Sequence, residues 1–157
     1  DNDLAIGDTY QGGIVFYLDG NGGGLIAAPF DQSKHPGAEF GCFETNILGA
    51  QGTAIGTGYQ NTIDIVANCS PKTSGSPIAA HLCENLILGG YSDWFLPSKD
   101  ELNEMYVNLH AKGLGGFGRK FYWSSTEYDN GYAWLQGEYG QDVNKYYTYS
   151  VRAIRTF

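Results

Sequence analysis

Twenty-three of the 157 residues are glycine, running from Gly7 to Gly140 and bunched at Gly22-Gly23-Gly24, Gly89-Gly90 and Gly113-Leu114-Gly115-Gly116. Glycine loses more backbone freedom in a helix or strand than any other residue and is favoured where the chain turns. At this density, beside only 17% charged residues, the chain must turn often, which predicts a loop-rich, mostly β architecture with a few helices. The glycines keep no three-residue period, so a collagen-like rod is excluded. With 42% hydrophobic and 15% aromatic residues the chain can bury a proper core, which excludes disorder and predicts one domain over residues 1–157.

Seventeen acidic against nine basic residues give a net charge of −8. Nucleic acid and anionic membrane surfaces are therefore not expected partners, since the basic residues do not cluster enough to offset it. No apolar run is long enough to span a bilayer, so membrane insertion is not expected. The opening Asp1-Asn2-Asp3 is unlike a signal peptide and reads as a mature product or an excised domain. Cys42, Cys69 and Cys83 lack CxxC spacing, and with only His35, His81 and His110 beside them they argue against zinc and for a disulfide. Cys69 and Cys83 flank the Ser70–Pro77 loop, and closing that ring would add about 3 kcal/mol in a chain-entropy treatment. Cys42 is an alternative partner, and the sequence does not choose between them.

Along the chain, Ile14–Leu18 and Leu25–Ala28 read as the arms of a hairpin around Asp19–Gly24. Asp19-x-Asn21 resembles the start of a calcium loop, but Gly23 fills the next ligand position and no glutamate stands at the twelfth, so a plain turn is predicted. Residues 30–58 read as a long surface excursion. Thr57 to Gln60 has capping-box spacing before a helix over Asn61–Ala67, and Ile78–Leu86 is predicted helical with Ala79, Leu82, Cys83 and Leu86 on one face. In the third helix Ser98 caps, Glu101 completes the box, and Leu102, Met105, Tyr106 and Leu109 form the buried stripe. Asp100, Glu101 and Glu104 read as a solvated face matched to the helix dipole. Strands follow over Phe121–Ser125, Tyr132–Gln136 and Ser150–Phe157, the last obliging Arg152 and Arg155 to find partners or water.

Seven of the twelve tyrosines lie from Tyr122 to Tyr149, interleaved with short amide and carboxylate residues. Tyrosine offers a rigid amphipathic face with few torsions to freeze, so this is the composition of a recognition surface. The candidate ligand-binding residues are Tyr128, Asp129, Asn130, Tyr132, Tyr139, Asn144, Tyr146 and Tyr147.

Several blocks carry a resemblance: Ile6-Gly7-Asp8-x-Tyr10-x-Gly12-Gly13-Ile14-Val15-Phe16, Ala54-Ile55-Gly56-Thr57-Gly58, Asp93-Trp94-Phe95-Leu96-Pro97-Ser98, Trp123-Ser124-Ser125 and Val151-Arg152-Ala153-Ile154-Arg155. In combination they resemble the Lcl-type C-terminal domain that ends bacterial collagen-like adhesins. The resemblance implies an extracellular or cell-surface module, part of a larger surface protein or fibre, with adhesion as its role and a homotrimer or filament as its assembly. More remotely the order of blocks is similar to the C-type lectin-like fold, implying an α+β domain with a twisted antiparallel sheet, about three helices and long irregular loops. The calcium-dependent sugar motifs of true C-type lectins are absent, as is the C-terminal cysteine pair of formylglycine-generating enzymes. A sulfated ligand would face the −8 charge.

Ser124, Ser125, His35, His81, His110, Asp93 and Glu127 could supply a hydrolase, but no nucleophile elbow, zincin helix or phosphate loop links them. Asp93, Trp94, Trp123, Trp134 and His81 read as structural. The expected function is non-enzymatic recognition of a surface glycan or protein, with no catalytic residue, no metal ligand and no cofactor, calcium being the single candidate. The alternative is an assembly domain that buries the same face between protomers.

Overall fold

The computed structural model describes residues 3–71 and 75–157. Part of the Asp1-Asn2-Asp3 opening, and Lys72, Thr73 and Ser74 of the loop before the second helix, lie outside the described residues. The chain folds as α+β, with strands and helices in similar measure. Strands β1 (Thr9–Tyr10), β2 (Gly13–Leu18) and β3 (Gly24–Ala27) precede helices α1 (Gly58–Asn68), α2 (Ala79–Glu84) and α3 (Lys99–Asn108). A 3-10 turn, His110–Lys112, then leads to β4 (Tyr122–Glu127), β5 (Tyr132–Gln136), β6 (Gly140–Asn144) and β7 (Ile154–Thr156). These make two antiparallel sheets rather than the one expected, ordered β1-β2-β3-β7 and β4-β5-β6. Strand β6 was not predicted, and only three residues of the expected Ser150–Phe157 strand join a ladder.

The first hairpin closes by side-chain chemistry. Asp19 Oδ1 accepts from the backbone N–H groups of Asn21 at 2.7 Å and Gly23 at 3.0 Å, an aspartate turn as expected. The core forms on both faces of β4, because successive strand residues point opposite ways. Trp123 joins Val15, Phe40, Ile65, Trp94 and Leu135 in one cluster, while Tyr122 joins Phe16, Phe95, Leu102, Met105 and Leu109 in another.

The excursion contains no helix or strand until Gly58 opens α1, yet it is not merely a surface loop. Ala38, Phe40, Ile47 and Ala50 are buried within it. Its Cys42 forms the disulfide with Cys69 at the end of α1, with Cα atoms 5.3 Å apart. The shorter Cys69–Cys83 ring does not form because α2 turns Cys83 inward with Ala79 and Ala80, where burial pushes its thiol pKa upward.

Helix α3 starts as predicted. Ser98 Oγ accepts from Glu101 N–H at 3.3 Å, and Glu101 Oε1 accepts from Ser98 N–H at 2.7 Å. Glu101 itself is buried, not solvated, because its second oxygen accepts from Gly56 N–H at 2.7 Å in the loop before α1. Gly58 fits this crossing since a Cβ there would meet the Glu101 carboxylate and the backbone of Leu96 and Ser98. The capping box expected at Thr57 does not form. Its hydroxyl instead donates to Ala54 O at 2.6 Å, and α1 has no side-chain cap.

Burial raises the Glu101 carboxyl pKa, against the lowering effect of the Ser98 and Gly56 N–H groups. A folded pKa above the unfolded value, about 4.3, contributes stability that is present below that value and is lost as pH rises through the folded pKa. Glu101→Gln is therefore expected to cost about 1–3 kcal/mol at neutral pH, since its amide N–H would face a backbone donor. Urea midpoints should show its deficit widening as pH falls into the carboxylate range. A deficit independent of pH would contradict this account.

Both arginines near the C-terminal strand find partners. Arg155 donates to Asp93 and Gln11 and lies 3.6 Å from the Tyr91 ring centroid, so Asp93 serves as an ion-pair partner beside the buried Trp94. Arg152 is buried. Its Nε donates to Asp31 at 3.0 Å, its Nη1 to the carbonyls of Ala28 at 2.9 Å and Gly115 at 2.7 Å, and its guanidinium stacks 4.0 Å from Phe117. Asp31 also accepts from Tyr122 Oη at 2.7 Å and Lys120 Nζ at 2.8 Å. Burial, followed by the Asp31 carboxylate, raises the Tyr122 pKa and keeps that phenol a donor.

Candidate functional site

In β5, Ala133 and Leu135 face the core, while Tyr132, Trp134 and Gln136 take the outer face. The β5–β6 register sets Tyr132 opposite Asn144 and Trp134 opposite Asp142, so these four side chains share that face. Trp123 is core as predicted, but Trp134 is only half-buried: Tyr128 stands edge-on to its ring at 5.5 Å and the Lys99 ammonium lies 4.4 Å from its centroid. A half-buried tryptophan beside a cation joins the outer surface and not the interior.

Two turns carry the exposed tyrosines. In the β4–β5 turn, Asp129 Oδ1 accepts from Gly131 N–H and Tyr132 N–H, both at 2.9 Å, and Tyr128 N–H donates to Tyr132 O. After β6, Asn144 Oδ1 accepts from Tyr146 N–H at 3.2 Å and its carbonyl from Tyr147 N–H at 3.1 Å. Lys145 N–H donates to Gly131 O at 2.9 Å and ties the turns together. Asp129 and Asn144 thus shape the backbone that displays the rings, while Asn130 sits exposed at the first turn.

Beneath the rings lies a buried ion pair. Lys145 Nζ donates to Glu127 Oε2 at 2.6 Å and to the carbonyls of Thr45 at 3.1 Å and Cys42 at 3.3 Å. Glu127 accepts from Ile47 N–H at 3.0 Å and from Gln51 Nε2. The pair therefore clamps the excursion onto the three-stranded sheet and draws Phe43 to the site. Phe43 lies between Cys42 at φ +54° and Glu44 at φ +68°, two non-glycine residues in the sparsely populated left-handed region. Its ring stands 4.8 Å from that of Tyr146, nearly perpendicular, and Tyr146 meets Tyr147 in the same manner at 5.0 Å. The Tyr147 phenol most, then slight burial and the Tyr132 phenol, raise the Tyr146 pKa.

The structure brings Tyr128, Asp129, Asn130, Tyr132, Asn144, Tyr146 and Tyr147 to one end of the sheet and leaves Tyr139 out. Tyr139 packs on Phe121 at 5.2 Å by the opposite turn of the β5–β6 hairpin, and a five-residue strand separates the two ends by roughly 13 Å. Sequence reasoning missed Phe43, Lys145 and Leu48. A cleft of about 440 Å³ runs beside Tyr128 and Asp129, lined also by Asn46, Ile47, Leu48, Gln51 and Glu127, with Leu48 89% exposed at its rim. The one local signal for Phe43 was its place next to a cysteine in a loop.

The residues that could have served a hydrolase are dispersed. Ser124 Oγ donates to Trp134 O, Asn61 Nδ2 donates to Ser125 Oγ, His81 contacts Cys69 O, His110 contacts Gly118 O and stacks on Phe117, and His35 lines a separate groove. Among the described residues no group of three or more His, Cys, Asp or Glu side chains gathers as metal ligands, and no helix is long and apolar enough to cross a membrane. Compared with known protein families and with curated proteins, the chain matches none.

Proposed function

We propose that the protein is a non-enzymatic extracellular recognition domain that binds a surface glycan or protein through the ring cluster of Phe43, Tyr132, Tyr146 and Tyr147 and the adjoining Tyr128 cleft. The observation that carries this reading is the pairing of exposure with rigidity. Tyr128, Tyr132, Tyr146 and Tyr147 are 43% to 55% exposed, yet they stand on turns closed by Asp129 and Asn144 over a buried ion pair. Preformed aromatic faces bind with little ordering cost. The disulfide agrees with an oxidising compartment, and adhesion at a cell surface follows from the resemblance to collagen-like adhesin domains.

A glycan array and a panel of candidate surface proteins, with and without calcium, test the proposal. Tyr132→Ala and Tyr146→Ala are each expected to weaken binding about tenfold while leaving solution mass and melting temperature near wild type, since exposed rings contribute to an interface and not to the core. If these variants instead convert an oligomer to monomers, the face belongs to assembly and the recognition reading fails.

A further inference from the structure

We infer that the ring cluster is a cage for a cationic side chain, and that its partner is a polypeptide presenting an exposed lysine or arginine beside an apolar residue. This rests on the recognition reading above and narrows it to a basic protein segment. The Tyr146 ring stands edge-on to Phe43 at 4.8 Å and to Tyr147 at 5.0 Å, and these three residues, with Tyr132 opposite Asn144 in the β5–β6 register, are each 39% to 49% exposed. An aromatic face attracts a cation through its quadrupole, and grouped rings form the usual receptacle for an ammonium. The outer face already holds one such contact, Lys99 over Trp134 at 4.4 Å.

Charge points the same way. The three segments that build the surface, residues 43–48, 127–132 and 142–147, contain the acids Glu44, Glu127, Asp129 and Asp142 and the single base Lys145. Glu127 and Lys145 neutralise each other in the interior, so Glu44, Asp129 and Asp142 remain uncancelled within these segments. A protein of net charge −8 adds a long-range field of the same sign. The cleft beside Tyr128, with Ile47 and Leu48 in its wall, takes an apolar side chain next to the cation, which favours a polypeptide over a small free ammonium.

The test is calorimetric titration of the intact protein with a short peptide alternating Lys and Leu, its Nε-acetylated form, and the corresponding Glu and Leu peptide. Only the first is expected to bind. Tyr146→Ala and Tyr132→Ala should each weaken it about tenfold, the loss typical of an interface anchor. Tyr146→Phe should recover most of that loss because the ring face returns. Glu44→Gln and Asp129→Asn should weaken binding several-fold, Asn preserving the turn acceptor, whereas Glu84→Gln on α2 should not. Equal weakening by Glu84→Gln and Glu44→Gln, with Tyr146→Ala silent, would mean diffuse attraction and overturn the cage. Binding of the acetylated peptide at full strength would do the same. Should the Lys and Leu peptide fail while glycans bind in a Tyr132- and Tyr146-dependent way, the cationic partner is overturned and recognition stands. Loss of both, with the alanine variants changing solution mass, removes the recognition reading as well.

Discussion

Lys145→Ala is expected to lower stability by about 3–5 kcal/mol, the usual penalty for stranding one member of a buried ion pair. The Glu127 carboxylate would remain in the interior with only Ile47 N–H and Gln51 to solvate it, and the carbonyls of Cys42 and Thr45 would lose their donor. Urea titration should show the midpoint falling with little change in slope. Near-ultraviolet circular dichroism should change with it, because Phe43 and Tyr146 are held together by the same clamp. Lys145→Met with Glu127→Gln should cost less than the two single changes summed, since neither variant residue then leaves a buried charge behind. Strict additivity would show that the two groups act independently and that the clamp is misassigned.

Arg152→Ala should be of similar size, about 3–5 kcal/mol, for a different set of broken contacts. Asp31 would lose its buried counter-charge, Ala28 and Gly115 their shared donor, and Phe117 the cation stacked upon it. For a domain of this length each kcal/mol moves the melting temperature by roughly 2–4 °C, so a fall of about 6–20 °C is expected. Arg152→Lys should recover only part, because an ammonium cannot reproduce the planar fork that serves Asp31 and two carbonyls together. If lysine restored the full melting temperature, charge alone would be sufficient and the fork irrelevant.

Elements with local causes were legible in the sequence. Helix α3 follows from Ser98, Glu101 and an apolar stripe within one short stretch, and the Asp19 turn from residues that bond to their own neighbours. The tyrosine end of the second sheet was legible too, because exposed aromatic composition is a local property. Features set by partners far along the chain were not. Glu101 looks like a solvated helix-start acid until Gly56 meets it, and Lys145 looks like one polar residue among tyrosines until Glu127 and the Cys42 carbonyl converge on it. The disulfide partner depends on which way α2 faces, a packing outcome. Strand β6, poor in β-branched residues, owes its form to the β5 edge that it pairs with.

The pairing of β3 with β7 has a consequence for the order in which this chain acquires its shape. Ala27 bonds across to Ile154, almost the whole length of the sequence away, whereas β4, β5 and β6 are joined by short turns. Contacts between distant segments form late because the intervening chain must first be gathered in. The β4–β6 meander can therefore assemble from local contacts alone, while the edge of β3 stays open until β7 reaches it. Over that interval the exposed strand edge is the point at which another nascent copy could pair wrongly, and prompt delivery of β7 is what closes it.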